Sequence, residues 1–259
     1  MHTQTLAIEY PNIQPGIEML NLDDPSDPLL DDICSKLILP YFPEEDRDGR
    51  EAIGAFLTLN NANRERKIQY RVVAAVKGAT LVGATIFTFF GYDGFCFMNG
   101  QYTSVMPSER GRGLAKTLSC YREAAAQALA RNFGYSELDF TIITLANPQN
   151  GSECLYKAGC PNHRTLQAIW RRWGHDLVDF PYVQLPLADG KAGLSDVLLG
   201  IKRYSDRYTG RDYLTASEMK NIIDACNYFR LSKTPNECYP QYRAMLDYLD
   251  GRQKTRILV

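Results

Sequence analysis

The period of the apolar positions changes several times along this chain, and each change predicts an element. Residues 17–22, IEMLNL, alternate apolar and polar, which predicts a short strand. Asp27-Pro28 then opens a helix running to about Tyr41, with Pro at the first helical position and Leu29, Leu30, Ile33, Leu37 and Ile38 on one face. A second helix is predicted over 48–59. Beyond the polar NANRERK, residues 70–77, 80–90 and 95–105 are rich in Val, Ile, Thr and Phe and predict three strands. The turns between them, KGAT and GYDG, carry glycine, so the three strands are expected as an antiparallel meander. LAKTLSCYREAAAQALARNF, residues 114–133, predicts a long helix ended by Gly134. ELDFTIIT (137–144) predicts a strand, and Asn162 caps a helix expected over 163–173 and closed by Gly174. Strands are predicted again near 175–180 and 196–203. The last fifty residues read differently. Thr215 to Glu218 fits a capping box, and Met219, Ile222, Ile223, Cys226 and Phe229 form a helical stripe. A further helix is predicted from about Pro235 to Asp250, ended by Gly251. The pattern is that of a mixed α/β domain over residues 1–203 with a helical extension over 204–259, and it shows no internal repeat.

Composition adds mainly exclusions. With 29 Lys+Arg against 30 Asp+Glu in 259 residues, no overall charge points to nucleic acid or an anionic membrane. The N-terminus lacks a basic start followed by an apolar run, and no stretch of about 18 apolar residues is long enough to span a bilayer. Seven cysteines, at 34, 96, 120, 154, 160, 226 and 238, are an odd number without CxxC spacing, and His2, His163 and His175 are scattered. No metal is expected, and reduced, buried thiols in a cytoplasmic protein are.

The candidate chemistry lies in VMPSERGRGLAKTL, residues 105–118, between a predicted strand and a predicted helix. Gly111 and Gly113 permit backbone angles that a side chain blocks. Amides of such a loop and of the first turn of the helix after it can converge on a phosphate or pyrophosphate, with Arg110, Arg112 and Lys116 around it. A tight strand-to-helix turn with solvated arginines is the alternative. The Walker pattern GxxxxGK[ST] and the dinucleotide pattern GxGxxG are both absent.

Context favours the site. SVMPSERGRGLAKTL resembles the acyl-CoA loop of the GNAT superfamily of N-acetyltransferases, whose pattern is Arg/Gln-x-x-Gly-x-Gly/Ala. Arg110, Gly113 and Ala115 match it, and Val105 and Pro107 match the Val-x-Pro lead-in. The predicted order of elements is similar to that fold over about residues 17–203. The resemblance implies a mixed, mainly antiparallel central sheet flanked by helices. It implies an enzyme that moves acetyl from acetyl-CoA to a primary amine by direct transfer, with no enzyme nucleophile. The backbone of Thr103, Ser104 and Val105 would pair with the pantetheine arm. The pyrophosphate would rest on the amides of Arg110, Gly111, Arg112, Gly113, Leu114 and Ala115 and reach Lys116. The thioester would lie between the strands at 95–105 and 137–144. Asn147 matches a position that bonds the cofactor arm, although Asn-Pro is also a common turn.

The acid and base are less legible. The family places a general-acid tyrosine in Tyr-x-x-x-Gly-Phe. LYKAGC offers Tyr156 one residue short of that spacing, and IWRRWGH has the spacing but puts Trp170 in the tyrosine's place, and an indole does not give up its N–H proton as a general acid does. Tyr156 is the candidate, with Tyr182 as a further one. FCFMNGQYTSV, the strand before the loop, holds no carboxylate; Asp139 on the next strand either faces the cleft as a base or sits at the core edge or surface, and water-mediated deprotonation is the other route. An acyl-cysteine route through Cys154 or Cys160 with His163 lacks any specific spacing. The alternative function is a catalytically degenerate acyl-CoA-binding sensor or scaffold; the strand order argues against a nucleotide enzyme. The five carboxylates of FPEEDRDGRE either start a solvated helix or attract a cationic amine. The segment 204–251 closes the acceptor side, packs as a second domain, or forms a homodimer contact.

Overall fold

The computed structural model describes residues 14–62, 67–147, 162–187, 191, 193–195, 197–228 and 239–258. The chain forms two compact units, one of Met1–Pro40 with Gly49–Thr141 and one of Tyr41–Asp48 with Ile142–Val259. Together their elements make the mixed α/β, mainly antiparallel class expected.

The first unit is an antiparallel sheet with helices packed on it. β1 (Ile17–Leu22), β2 (Ile68–Lys77), β3 (Thr80–Tyr92) and β4 (Phe95–Val105) lie in chain order, each antiparallel to the next. Two-residue connections join β2 to β3 and β3 to β4, which fixes the register Ala74 to Ala84 and Thr85 to Thr103. Helices α1 (Pro28–Ile33) and α3 (Leu114–Asn132) pack against β3, and α2 (Arg50–Ala62) packs against β2. Burial therefore runs unbroken from Leu81 to Phe90 instead of alternating. Aromatic rings extend the core along β4: Phe97 stacks on Phe90 at 5.5 Å and on Phe140 at 5.2 Å. The helix expected to reach Tyr41 changes geometry at Cys34. Cys34–Ile38 is a π-helical turn, in which the Leu39 amide donates to the Cys34 carbonyl five residues back.

The strand expected at 137–144 instead runs Phe140–Ala146 (β5). The residues before it are spent otherwise. The Leu138 amide donates to the Gln127 side chain, and Asp139 exchanges bonds with Cys96, its amide donating to the Cys96 carbonyl at 3.1 Å. β5 begins in the first unit and ends in the second.

In the second unit the strands take the order β5, β7 (Val197–Arg203), β6 (Asp176–Val178), β9 (Lys254–Leu258), β8 (Tyr213–Thr215). The helices are α4 (His163–Arg172), α5 (Asp206–Thr209), α6 (Ala216–Cys226) and α7 (Pro240–Leu249). The Asn162 side chain accepts from the Thr165 amide, and the capping box of α6 closes both ways between Thr215 and Glu218. Met219, Ile222, Ile223 and Cys226 are buried as the stripe predicts; Phe229 and residues 235–238 lie outside the described residues. Past residue 203 the chain is not all helical. β8 and β9 pair antiparallel, and β9 continues onto β6. KTRIL alternates over only five residues, with Thr255 and Ile257 buried, too short a run to be separated from a helix end by periodicity.

Candidate functional site

β4 ends at Val105, and the turn beyond it is set by local chemistry. The Met106 amide donates to the Val82 carbonyl at 2.9 Å, and Pro107–Glu109 form one 3-10 turn. Arg110 is extended, and Gly111 and Gly113 both take positive φ, +75° and +84°. A Cβ on either would touch nothing within 4 Å, so glycine is required here by backbone conformation and not by space. An L-residue in that region costs about 1–2 kcal/mol.

Gly113 is the N-cap of α3 and has no side chain to cap it. The helix-start amides have no acceptor inside the helix by geometry, and the first intrahelical bond runs from Thr117 to the Gly113 carbonyl at 3.0 Å. The first turn holds no acidic residue. Leu114 anchors that turn in an apolar cluster with Ile17, Ala75, Val82, Val105 and Leu118. The outcome is an electropositive helix end, seated by Leu114 beside the end of a strand, which suits an anion.

The arginines hold the loop as well as charge it. Arg110 Nε donates to the Val105 carbonyl at 3.0 Å. Arg112 pairs with Glu109 at 3.1 Å while the Gln14 side-chain amide donates to its carbonyl. Glu109 thus offsets part of the charge that Arg112 was expected to add. Lys116 is half-buried in the first turn of α3. Thr103 and Ser104 are half-buried and Val105 is buried, each facing β3 through Thr85, Ala84 and Gly83 in turn.

Arg122 joins this region although no motif in the sequence marks it. β4 carries a bulge: Ile86 faces Tyr102 and Phe87 faces Gly100, leaving Gln101 extra. Arg122 of α3, 1% exposed, lies against that bulge and donates from Nη1 to Thr103 Oγ1 at 3.0 Å. A signal existed, because Arg122 falls on the same helical stripe as Leu118, Ala125 and Leu129.

The remaining candidates are distributed differently. Tyr156, Cys154 and Cys160 lie outside the described residues. Asn147 is half-buried directly after β5, in the second unit. Tyr182 is buried in the second unit. The Asp139 carboxylate accepts from the Cys96 amide at 2.9 Å, a structural tie at the entry to β5. Trp170 packs edge-on against Trp173 and His175 at the close of α4, so its register is one of packing. The acidic segment is tethered within its own unit: Asp46 accepts from Gln184, and Lys191 donates to the Glu44 and Arg47 carbonyls. Among the described residues no helix is long and apolar enough to cross a membrane, and no three of His, Cys, Asp or Glu gather as metal ligands.

No family model and no curated protein sequence matches the chain. Solved structures similar to it include a GNAT family acetyltransferase from Elizabethkingia anophelis with acetyl-CoA bound, 12% identical at a TM-score of 0.43, covering 74% of this chain and 100% of that one. The PaiA N-acetyltransferase from Thermoplasma acidophilum in complex with coenzyme A is 12% identical at a TM-score of 0.44, covering 73% of this chain and 99% of that one. The IAA acetyltransferase from Bacillus cereus is 12% identical at a TM-score of 0.42, with the same coverage of 73% and 99%. These three structures, to which the chain is similar, are all acetyltransferases.

Proposed function

We propose that the chain is an acyl-CoA-dependent N-acyltransferase of the GNAT superfamily that moves acetyl from acetyl-CoA to a primary amine. The observation that carries this reading is the left-handed pair Gly111 and Gly113, which delivers an uncapped, acid-free helix start just past the end of β4. Amides and helix dipole there favour a pyrophosphate, and Thr103, Ser104 and Val105 offer a strand end for the pantetheine arm.

When bound, acetyl-CoA supplies the activated acyl group as a thioester. The amine nitrogen forms a bond to the thioester carbonyl carbon, the carbon–sulfur bond breaks, and the thiolate takes up a proton as the amine nitrogen gives one up. Tyr156 is the proton donor to the thiolate. Because β4 holds no carboxylate, water takes the proton from the amine. Residues 1–203 carry the transferase and 204–259 an addition to it. The buried reduced thiols Cys34, Cys96 and Cys226 suit a reducing compartment.

The test is calorimetry with CoA, followed by acetyl-CoA consumption against a panel of primary amines. Saturable CoA binding with turnover on at least one amine supports the reading, and absence of CoA binding overturns it. The missing strand carboxylate favours one second reading, a non-catalytic acyl-CoA sensor. Tight CoA binding with no turnover on any amine is its outcome.

A further inference from the structure

β4 is held from behind by a side chain that takes no part in the glycine loop. Arg122 is buried in the middle of α3, and a Cβ on Gly100 would meet its Cζ and Nη1 at 2.6 Å, so the guanidinium lies directly against the Gly100 backbone. Its Nη1 donates to Thr103 Oγ1 at 3.0 Å, Thr103 Oγ1 meets Thr85 Oγ1 at 3.0 Å, and Thr85 Oγ1 meets the Tyr102 carbonyl at 2.9 Å. A carbonyl only accepts and a guanidinium only donates, so the protons have one arrangement. Thr85 donates to Tyr102, Thr103 donates to Thr85, and Arg122 donates to Thr103. The chain of donors wraps the bulge at Gln101 and ends on the backbone of β4 itself.

A buried guanidinium is expensive, and apolar residues of similar volume usually pack as stably. What the arginine provides is geometry. We infer that Arg122 is a positioning residue: seated on Gly100 and bonded to Thr103, it locks the bulge of β4 and fixes the path of Gly100–Thr103 along which the acyl donor lies. The inference rests on the reading of β4 as the donor strand.

The full chain is tested as Arg122→Met, Thr103→Val, Thr103→Ser and the double variant Arg122→Met/Thr103→Val. CoA affinity is read by calorimetry on protein shown to be folded by circular dichroism, and amide exchange is read over residues 99–105. Arg122→Met and Thr103→Val are each expected to weaken CoA about tenfold. The double variant is expected to be no weaker than either single one, because both cut the same chain. Thr103→Ser keeps the hydroxyl and is expected to recover most of the affinity that Thr103→Val loses, and exchange over 99–105 is expected to rise in Arg122→Met while β2 stays protected. If Arg122→Met fails to fold, the Thr103 pair carries the test. Wild-type affinity and exchange in folded Arg122→Met, additive losses in the double variant, or equal losses in Thr103→Ser and Thr103→Val overturn the inference alone. A wild type that binds no CoA overturns the donor-strand reading, and exchange over 99–105 then decides whether Arg122 fixes the bulge.

Discussion

Arg110 reaches back five residues and donates from Nε to the Val105 carbonyl, 3.0 Å away, tying the glycine loop to the end of the strand it leaves. A side chain that reads in sequence as a phosphate ligand thus also braces the loop. Arg110→Ala removes this brace together with the guanidinium charge. It is expected to weaken CoA about tenfold, roughly 1.4 kcal/mol, with little change in melting temperature. Calorimetry beside a thermal melt checks this, and an unchanged affinity argues that Arg110 neither binds nor braces.

Gly113 separates backbone conformation from ligand access. At φ +84° an alanine costs about 1–2 kcal/mol, although it touches nothing. Gly113→Ala is expected to lower stability by that amount in urea unfolding. Gly113→Glu adds a carboxylate at the positive helix end and is expected to abolish CoA binding with the fold retained. Wild-type CoA affinity in that variant sinks the loop assignment.

Glu218 makes stability depend on pH. Burial alone would raise its carboxyl, but hydrogen bonds from Arg211, the Thr215 amide and Tyr208 outweigh burial and hold it below its ordinary value. A lowered folded value means that Glu218 stabilises fully above the unfolded value of about 4.3 and loses that contribution as pH falls through the lowered one. Glu218 is buried but Arg211 is partly exposed, so removing the carboxylate and its hydrogen bonds costs about 1–3 kcal/mol. Glu218→Ala is therefore expected to melt lower at pH 7 and to lose less further stability than the wild type below pH ~4. Equal acid dependence in the two proteins contradicts the assignment.

Cys34 and Cys96 should be poor nucleophiles. Burial pushes the Cys34 thiol up to about 11 and the Cys96 thiol up to about 12, so almost no thiolate exists at neutral pH. Iodoacetamide at pH 8 is expected to leave both unmodified in the folded protein and to label both in urea, as read by peptide mass spectrometry. Native-state labelling of either contradicts its burial.

Local signals were legible wherever a short stretch of chain determines its own geometry. The meander from Ile68 to Val105, the Asn162 cap, the Thr215 box and the glycine stops all arise from neighbours a few residues apart. The loop at 110–113 belongs with them, because positive φ at Gly111 and Gly113 is a property of residue type.

Other features depend on partners distant in sequence. The start of β5 shifted to Phe140 because Asp139 is engaged by Cys96, 43 residues earlier. β9 exists because Leu177 and Val178 offer a strand to Leu258 and Ile257. The helical stripe marks Arg122 for burial but not for what it holds; folding brings it against Gly100 and Thr103, where burial of its charge makes a hydrogen-bonded seat obligatory. The elements and the glycine loop are therefore written in the linear order, since turns, caps and periodicity act over a few residues. Which polar side chains are buried, and what they hold, is settled only on folding, because desolvation depends on surroundings that the linear order does not contain.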